Sequence, residues 1–92
     1  MSTLTLRVVT SDGVNQNVAC DSVSLWMAPD VRGRGEGSIG IRKDHIDAVI
    51  ALGEGPLAAY LEGKDVFSAR TKGGVAIVQN NTVTVVTPHL AG

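Results

Sequence analysis

The 92-residue chain carries a formal net charge of −1, 43% hydrophobic residues and only three aromatics, Trp26, Tyr60 and Phe67. These values confine it to a single domain, residues 1–92, with a core of Val, Ile, Leu and Ala, branched side chains that favour pleated sheet over helix. They exclude the positive field that holds a nucleic-acid backbone, and the lone cysteine, Cys20, excludes an internal disulfide and fits a reducing compartment.

Thr3–Thr10 is rich in Val, Leu and Thr and stops at the turn signal Ser11-Asp12-Gly13. Val14–Cys20 follows as a strand whose Asn15, Gln16 and Asn17 mark a solvated edge. Asp21–Leu25 alternates, with Val23 and Leu25 on one face and Ser22 and Ser24 on the other. Met27–Gly37 dissolves into Pro, Gly and charge and reads as a loop, and Ser38–Ile41 as a short apolar strand.

Lys43–Leu52 is ambiguous, because Ile41, His45, Ala48, Val49 and Leu52 fall at helical spacing. It is short for a helix and ends abruptly at Gly53-Glu54-Gly55-Pro56. Leu57–Leu61, Val66–Thr71, Val75–Gln79 and Thr82–Val86 read as four further strands. Asn80-Asn81 between the last two tolerates the left-handed backbone of a tight hairpin. Short strands with turns at this spacing predict an all-β sandwich or barrel, paired mainly antiparallel. No apolar stretch reaches membrane-spanning length, and Met1-Ser-Thr-Leu-Thr-Leu lacks a signal peptide's layout. The chain reads as cytosolic and soluble, and membrane association has to come through a partner.

Several residues bear on chemistry. Gly35-Glu-Gly-Ser-Ile-Gly40, with Glu62 downstream, has the spacing of a dinucleotide-binding loop, but that site needs a preceding strand and a following helix in a parallel unit. Turn chemistry is the better account of these glycines. His45, between Asp44 and Asp47, has the makings of an acid–base pair or a metal ligand. The remaining ligand stock of Cys20, His89 and scattered carboxylates lacks the spacing of a zinc site, so a solvated loop histidine is the simpler reading. Arg32-Gly33-Arg34-Gly35 lacks the interleaved aromatics of a nucleic-acid-binding tract. Trp26 beside Met27 either anchors a protein contact or caps one end of the fold. Cys20 is most simply a small core residue.

Val9-Thr-Ser-Asp-Gly13, Cys20-Asp-Ser-Val-Ser-Leu25, Glu36-Gly-Ser-Ile-Gly-Ile41, Gly73-Gly74 and Val78-Gln-Asn-Asn-Thr-Val-Thr-Val85 occur in an order and spacing that resembles the N-terminal domain of the epsilon subunit of F-type ATP synthases. His45 is in register with the family's histidine. Ser38 replaces the usual second acid, Lys43-Asp44 the usual Pro-Gly, and Ile46-Asp47 the usual Ala-Pro. The stretch Trp26–Gly35 is longer than the family's connection, enough for a reaching surface loop.

The resemblance implies a small antiparallel β-sandwich of about eight to ten short strands, and a strand rather than a helix at Lys43–Leu52. It also implies a non-catalytic central-stalk subunit that binds gamma laterally and the polar loops of the c-ring through its end loops. Such a subunit couples ion-driven rotation to ATP synthesis from the cytoplasmic face of the membrane, held there through the complex. The contact residues implied are Glu36, Ser38, Arg42 and His45 toward the ring, with Lys43 and Asp44 as their altered neighbours, and with no catalytic group, cofactor or metal and no direct membrane insertion. The helical hairpin that family members usually carry after this domain, and on which their ATP contacts largely rest, does not occur within these residues. The rival reading is a small-molecule-binding or enzymatic β-sandwich that uses the His45 and Asp47 loop.

Overall fold

Residues 2–91 are described by the computed structural model of the chain, as ten strands in two five-stranded sheets. The strands are β1 (Leu4–Thr10), β2 (Asn15–Cys20), β3 (Ser22–Met27), β4 (Gly37–Arg42), β5 (Ala48–Ala51), β6 (Glu54–Leu61), β7 (Lys64–Lys72), β8 (Val75–Gln79), β9 (Thr82–Thr87) and β10 (Leu90–Ala91). One sheet runs β2-β1-β9-β8-β5 and the other β10-β7-β6-β3-β4.

Period-two alternation decides which side chains face inward. Leu4, Leu6 and Val8 of β1 are buried and Arg7 is exposed. Val83 and Val85 of β9 and Ala76 and Val78 of β8 line the core beside them in the same sheet, and Val23 and Leu25 of β3 and Leu57 and Ala59 of β6 face them across the sandwich. The core is aliphatic, as the composition requires. Trp26, Tyr60 and Phe67 are each only half-buried. Three buried threonines tie strands to turns at one end: Thr87 donates to the Gly73 carbonyl at 2.8 Å, Thr71 to the Gly53 carbonyl at 2.9 Å, and Thr10 to the Asp12 carboxylate. Gly74 is required as glycine, because a Cβ there would stand 2.3 Å from the Val86 carbonyl oxygen at φ +111°.

The sandwich agrees with the sequence reading, and the antiparallel pairing holds with one exception. β1 and β9 are parallel, Thr5 opposite Thr82 and Thr10 opposite Thr87. Lys43–Leu52 is a strand and not a helix, but only Ala48–Ala51 is regular. Lys43-Asp44 forms a turn with Asp44 at φ 61°, and this turn carries the chain from one sheet to the other. Trp26 and Met27 belong to β3 and not to the loop, while β7 begins at Lys64 and not at Val66. The Gly53–Pro56 break is also smaller than its composition suggests, since β6 starts at Glu54 and passes through Pro56. Pairing of β6 with β3 ends at Ala58, so the missing Pro56 N–H costs no bond on that side. β10, two residues against Thr71 and Arg70 of β7, is too short to register as periodicity.

Candidate interaction site

β4 is an edge strand, and the six implied contact residues lie along it and just beyond its ends. The sequence reading treats Glu36–His45 as one loop. In the structure Ser38 sits opposite Trp26, near the end of β3, and Arg42 sits opposite Ser22, at its start. Four steps along the strand separate Ser38 from Arg42, about 13 Å at the usual rise. Glu36 and Ser38 therefore belong to one end of the sandwich, and Arg42, Lys43, Asp44 and His45 to the other.

At the first end Trp26 Nε1 donates to Glu36 Oε2 at 3.1 Å. The Trp26 ring lies on Gly55, where an added Cβ would stand 2.3 Å from Cγ, so the side chain covers this end of β6. The loop between β3 and β4 is built around Asp30. Its Oδ1 accepts the N–H groups of Arg32 and Arg34 at 2.8 and 2.9 Å. Its carbonyl accepts the Gly33 N–H at 2.9 Å, and its own N–H donates to the Arg34 carbonyl at 2.6 Å. This presents Val31 fully exposed ahead of the two arginines.

At the second end the Asp44 N–H donates to Asn81 Oδ1 at 2.6 Å, which fastens the β4–β5 turn to the β8–β9 hairpin. The half-buried His45 ring is held by a 2.7 Å bond between Nδ1 and the Ile46 carbonyl. Arg42 and Lys43 line an open cleft of about 540 Å³ with Thr3, Asp21, Ser22, Tyr60 and Gly63. Asp21 Oδ2 in that cleft already accepts the Glu62 N–H at 2.9 Å. Asp47 lines a separate shallow cleft with Val49 and Ile77, and His45 lines neither. Among the described residues no three His, Cys, Asp or Glu side chains converge as a metal site.

The glycine-rich stretch Gly35–Gly40 runs into β4, an antiparallel edge strand, and β5 follows it where a dinucleotide site needs a helix. Cys20 is fully buried with its sulfur 3.7 Å from the Leu4 carbonyl. Burial pushes its thiol pKa up; a backbone hydrogen bond at Leu6 works against that shift and the Asp21 charge adds to it. Sequence reasoning saw Asn81 only as a turn residue and missed its side-chain bond to Asp44. No local signal points to that bond, which joins residues 37 positions apart.

Residues 3–90 match the beta-sandwich domain of the ATP synthase delta/epsilon chain. The chain belongs to that family. Among solved structures, this delta/epsilon sandwich is similar to a chain of the Euglena gracilis mitochondrial ATP synthase, in an assembly described as OSCP/F1/c-ring in rotational state 1. The TM-score is 0.75 and the identity 19%, over 99% of this chain and 54% of that one. It is also similar to a chain of the Tetrahymena thermophila mitochondrial ATP synthase, described as central stalk/c-ring. There the TM-score is 0.67 and the identity 18%, over 96% of this chain and 65% of that one. The delta/epsilon sandwich thus spans between half and two thirds of the length of these relatives. No curated protein matches it at a significant level. No helix of the structure is long and apolar enough to cross a membrane.

Proposed function

We propose that the domain is a non-catalytic central-stalk element of a rotary F-type ATP synthase. It binds gamma and the c-ring and helps couple ion-driven rotation to ATP synthesis at the cytoplasmic face of the membrane. The observation that carries this reading is the delta/epsilon sandwich match over residues 3–90, on a fold shared with chains of two ATP synthase assemblies that include the c-ring. The contact set divides by task. Glu36 and Ser38 face the ring, because the family resemblance puts acids that meet the ring's polar loops at these positions, and the Asp30-braced loop projects beside them. Arg42, Lys43, Asp44 and His45, at the opposite end, contact gamma through the open polar cleft. A polar end surface of this kind suits a protein contact better than the rival enzymatic use of His45 and Asp47. A ligand pocket would be concave and mostly apolar.

Reconstituted synthase tests this division. Glu36→Lys lowers ion pumping relative to ATP hydrolysis while gamma still co-purifies, whereas Arg42→Glu and His45→Glu weaken co-purification with gamma. Gln16→Ala, on the exposed β2 edge, changes neither. Rim charges act mainly through on-rate and salt dependence, so the effects are several-fold and shrink at high salt. The opposite pattern between the two ends inverts the orientation. A protein that never co-purifies with gamma or the ring ends the stalk reading.

A further inference from the structure

The β5 edge is a half-finished ladder. Each N–H and C=O pair of a strand residue points to one side. Leu52 donates toward β8, to the Gly74 carbonyl at 3.0 Å, whereas the Ala51 carbonyl points away and accepts the Ala28 N–H at 2.9 Å. Alternation therefore turns Ala48 and Ile50 toward β8, and Val49 and Ala51 outward. The two-residue Asn80-Asn81 hairpin gives the same parity, since it makes Gln79 and Thr82 a bonded pair and so directs Ala76 and Val78 at β5. On the outer side the chain supplies its own neighbour only at the top, where Met27 bridges Leu52 antiparallel and Ala28 meets Ala51. The chain then departs at Pro29. The Val49 N–H, the Val49 C=O and the Ala51 N–H have no partner among the described residues.

Beside these groups lies a cleft of about 440 Å³, with Val49–Ala51 on one wall and Met27–Asp30, Arg34 and Gly35 on the other. Val49 is 73% exposed at its mouth, directly opposite Ile77, so the outer face of the sheet ends in an apolar pair. The segment Ala48-Val-Ile-Ala51 has no charge, proline or bulge, the devices that ordinarily keep an edge from pairing. Across the cleft the Arg34 guanidinium has no carboxylate partner among the described residues, while Asp30 is occupied by its own loop.

We propose that β5 is a strand-addition site. A short extended segment of a partner protein lies antiparallel to Ala48–Ala51 and continues the line begun by Met27-Ala28. It takes up the free Val49 and Ala51 groups, sets an apolar residue beside Val49, and turns a carboxylate toward Arg34. Main-chain bonds supply the affinity in such a complex, and the alternating side chains supply the selectivity. The occupant is a single strand and not the edge of a second sandwich, because the loop wall at Pro29–Gly35 leaves a cleft and not an open edge. This inference does not rest on the stalk reading and is tested on the chain alone.

The probe is the peptide acetyl-Ser-Thr-Val-Glu-Val-Thr-Ser-amide, titrated into the labelled protein and followed by amide NMR. Saturable shifts centred on Val49 and Ala51, with hydrogen exchange at both amides slowed at least tenfold, are expected. Val49→Pro removes the outward donor without touching a β8 bond and weakens binding at least tenfold. If that variant does not fold, Arg34→Glu on the exposed loop decides. It weakens the Glu peptide at least fivefold and reverses the preference toward the same peptide with Lys in place of Glu. Scattered or unsaturable shifts, or equal binding by Arg34→Glu to both peptides, overturn the proposal. So does a concentration-dependent dimer in sedimentation that Val49→Pro abolishes, which assigns the edge to a second copy.

Discussion

Cys20 shows how one side chain is fixed by its surroundings. It closes β2 against β1, wholly out of solvent, and burial raises its thiol pKa in the folded state. The sign follows from linkage: the folded protein holds this proton more tightly than the unfolded chain does. The thiol's contribution to stability is full below the ordinary cysteine range near ~8.5 and is lost as pH rises through the higher folded value. At pH 8 the native protein should therefore react with an aromatic disulfide reagent only as fast as it opens, and urea should restore the rate of a free thiol. Immediate labelling of the native protein would show that β2 does not seal the core. The reading of Cys20 as a small core residue needed only an apolar strand beside it. Asn81 needed tertiary structure, because its side-chain role depends on where the β4–β5 turn arrives.

At the scale of elements, the β8–β9 hairpin both folds locally and fastens a neighbour. Asn80 and Asn81 take φ values of 52° and 57°, the left-handed pair that a two-residue hairpin requires, and Asn81 Oδ1 holds the Asp44 N–H. Asn81→Gly separates the two roles, since glycine accepts the same backbone but offers no acceptor. We expect a loss of about 1 kcal/mol, the usual worth of one such bond. Exchange of the Asp44 amide should quicken more than that of the strand amides around it. An unchanged Asp44 amide would mean that the turn holds itself.

Strands such as β1, β8 and β9 were legible because alternation and turn residues agree. β10 was not, being shorter than any period, nor was the start of β6, where proline's usual meaning is cancelled by the early departure of β3. The six expected contact residues could be named as a set only through their family motif. Their division between two ends was not legible, because a motif continuous in sequence is spread along the length of a strand.

For the molecule as a whole, the two ends of the sandwich differ in character: one carries a braced loop with Val31, Arg32 and Arg34, the other a charged cleft at Arg42 and Lys43. Nucleotide phosphates are held by converging backbone N–H groups backed by a cation or a metal. The backbone N–H groups of Arg32 and Arg34 converge on Asp30, an anion the chain supplies itself. Calorimetry of the 92-residue chain with Mg-ATP should accordingly give no saturable heat, and a micromolar dissociation constant would return the glycine-rich stretch to consideration.

The parallel pairing of β1 with β9 also governs how the domain comes into being on the ribosome. Within this domain β1 can meet β2 at once, but its other neighbour is the ninth of the ten described strands to emerge. Until Thr82–Thr87 has left the exit tunnel, Leu6 and Val8 belong to a two-stranded ribbon, which is at best marginal in water. The nascent domain therefore leaves the apolar face of β1 open until β9 emerges, and the closing step joins segments far apart in sequence, the slow kind of contact. A chaperone that shields Leu4–Thr10 would serve this domain more than one that acts on the finished fold.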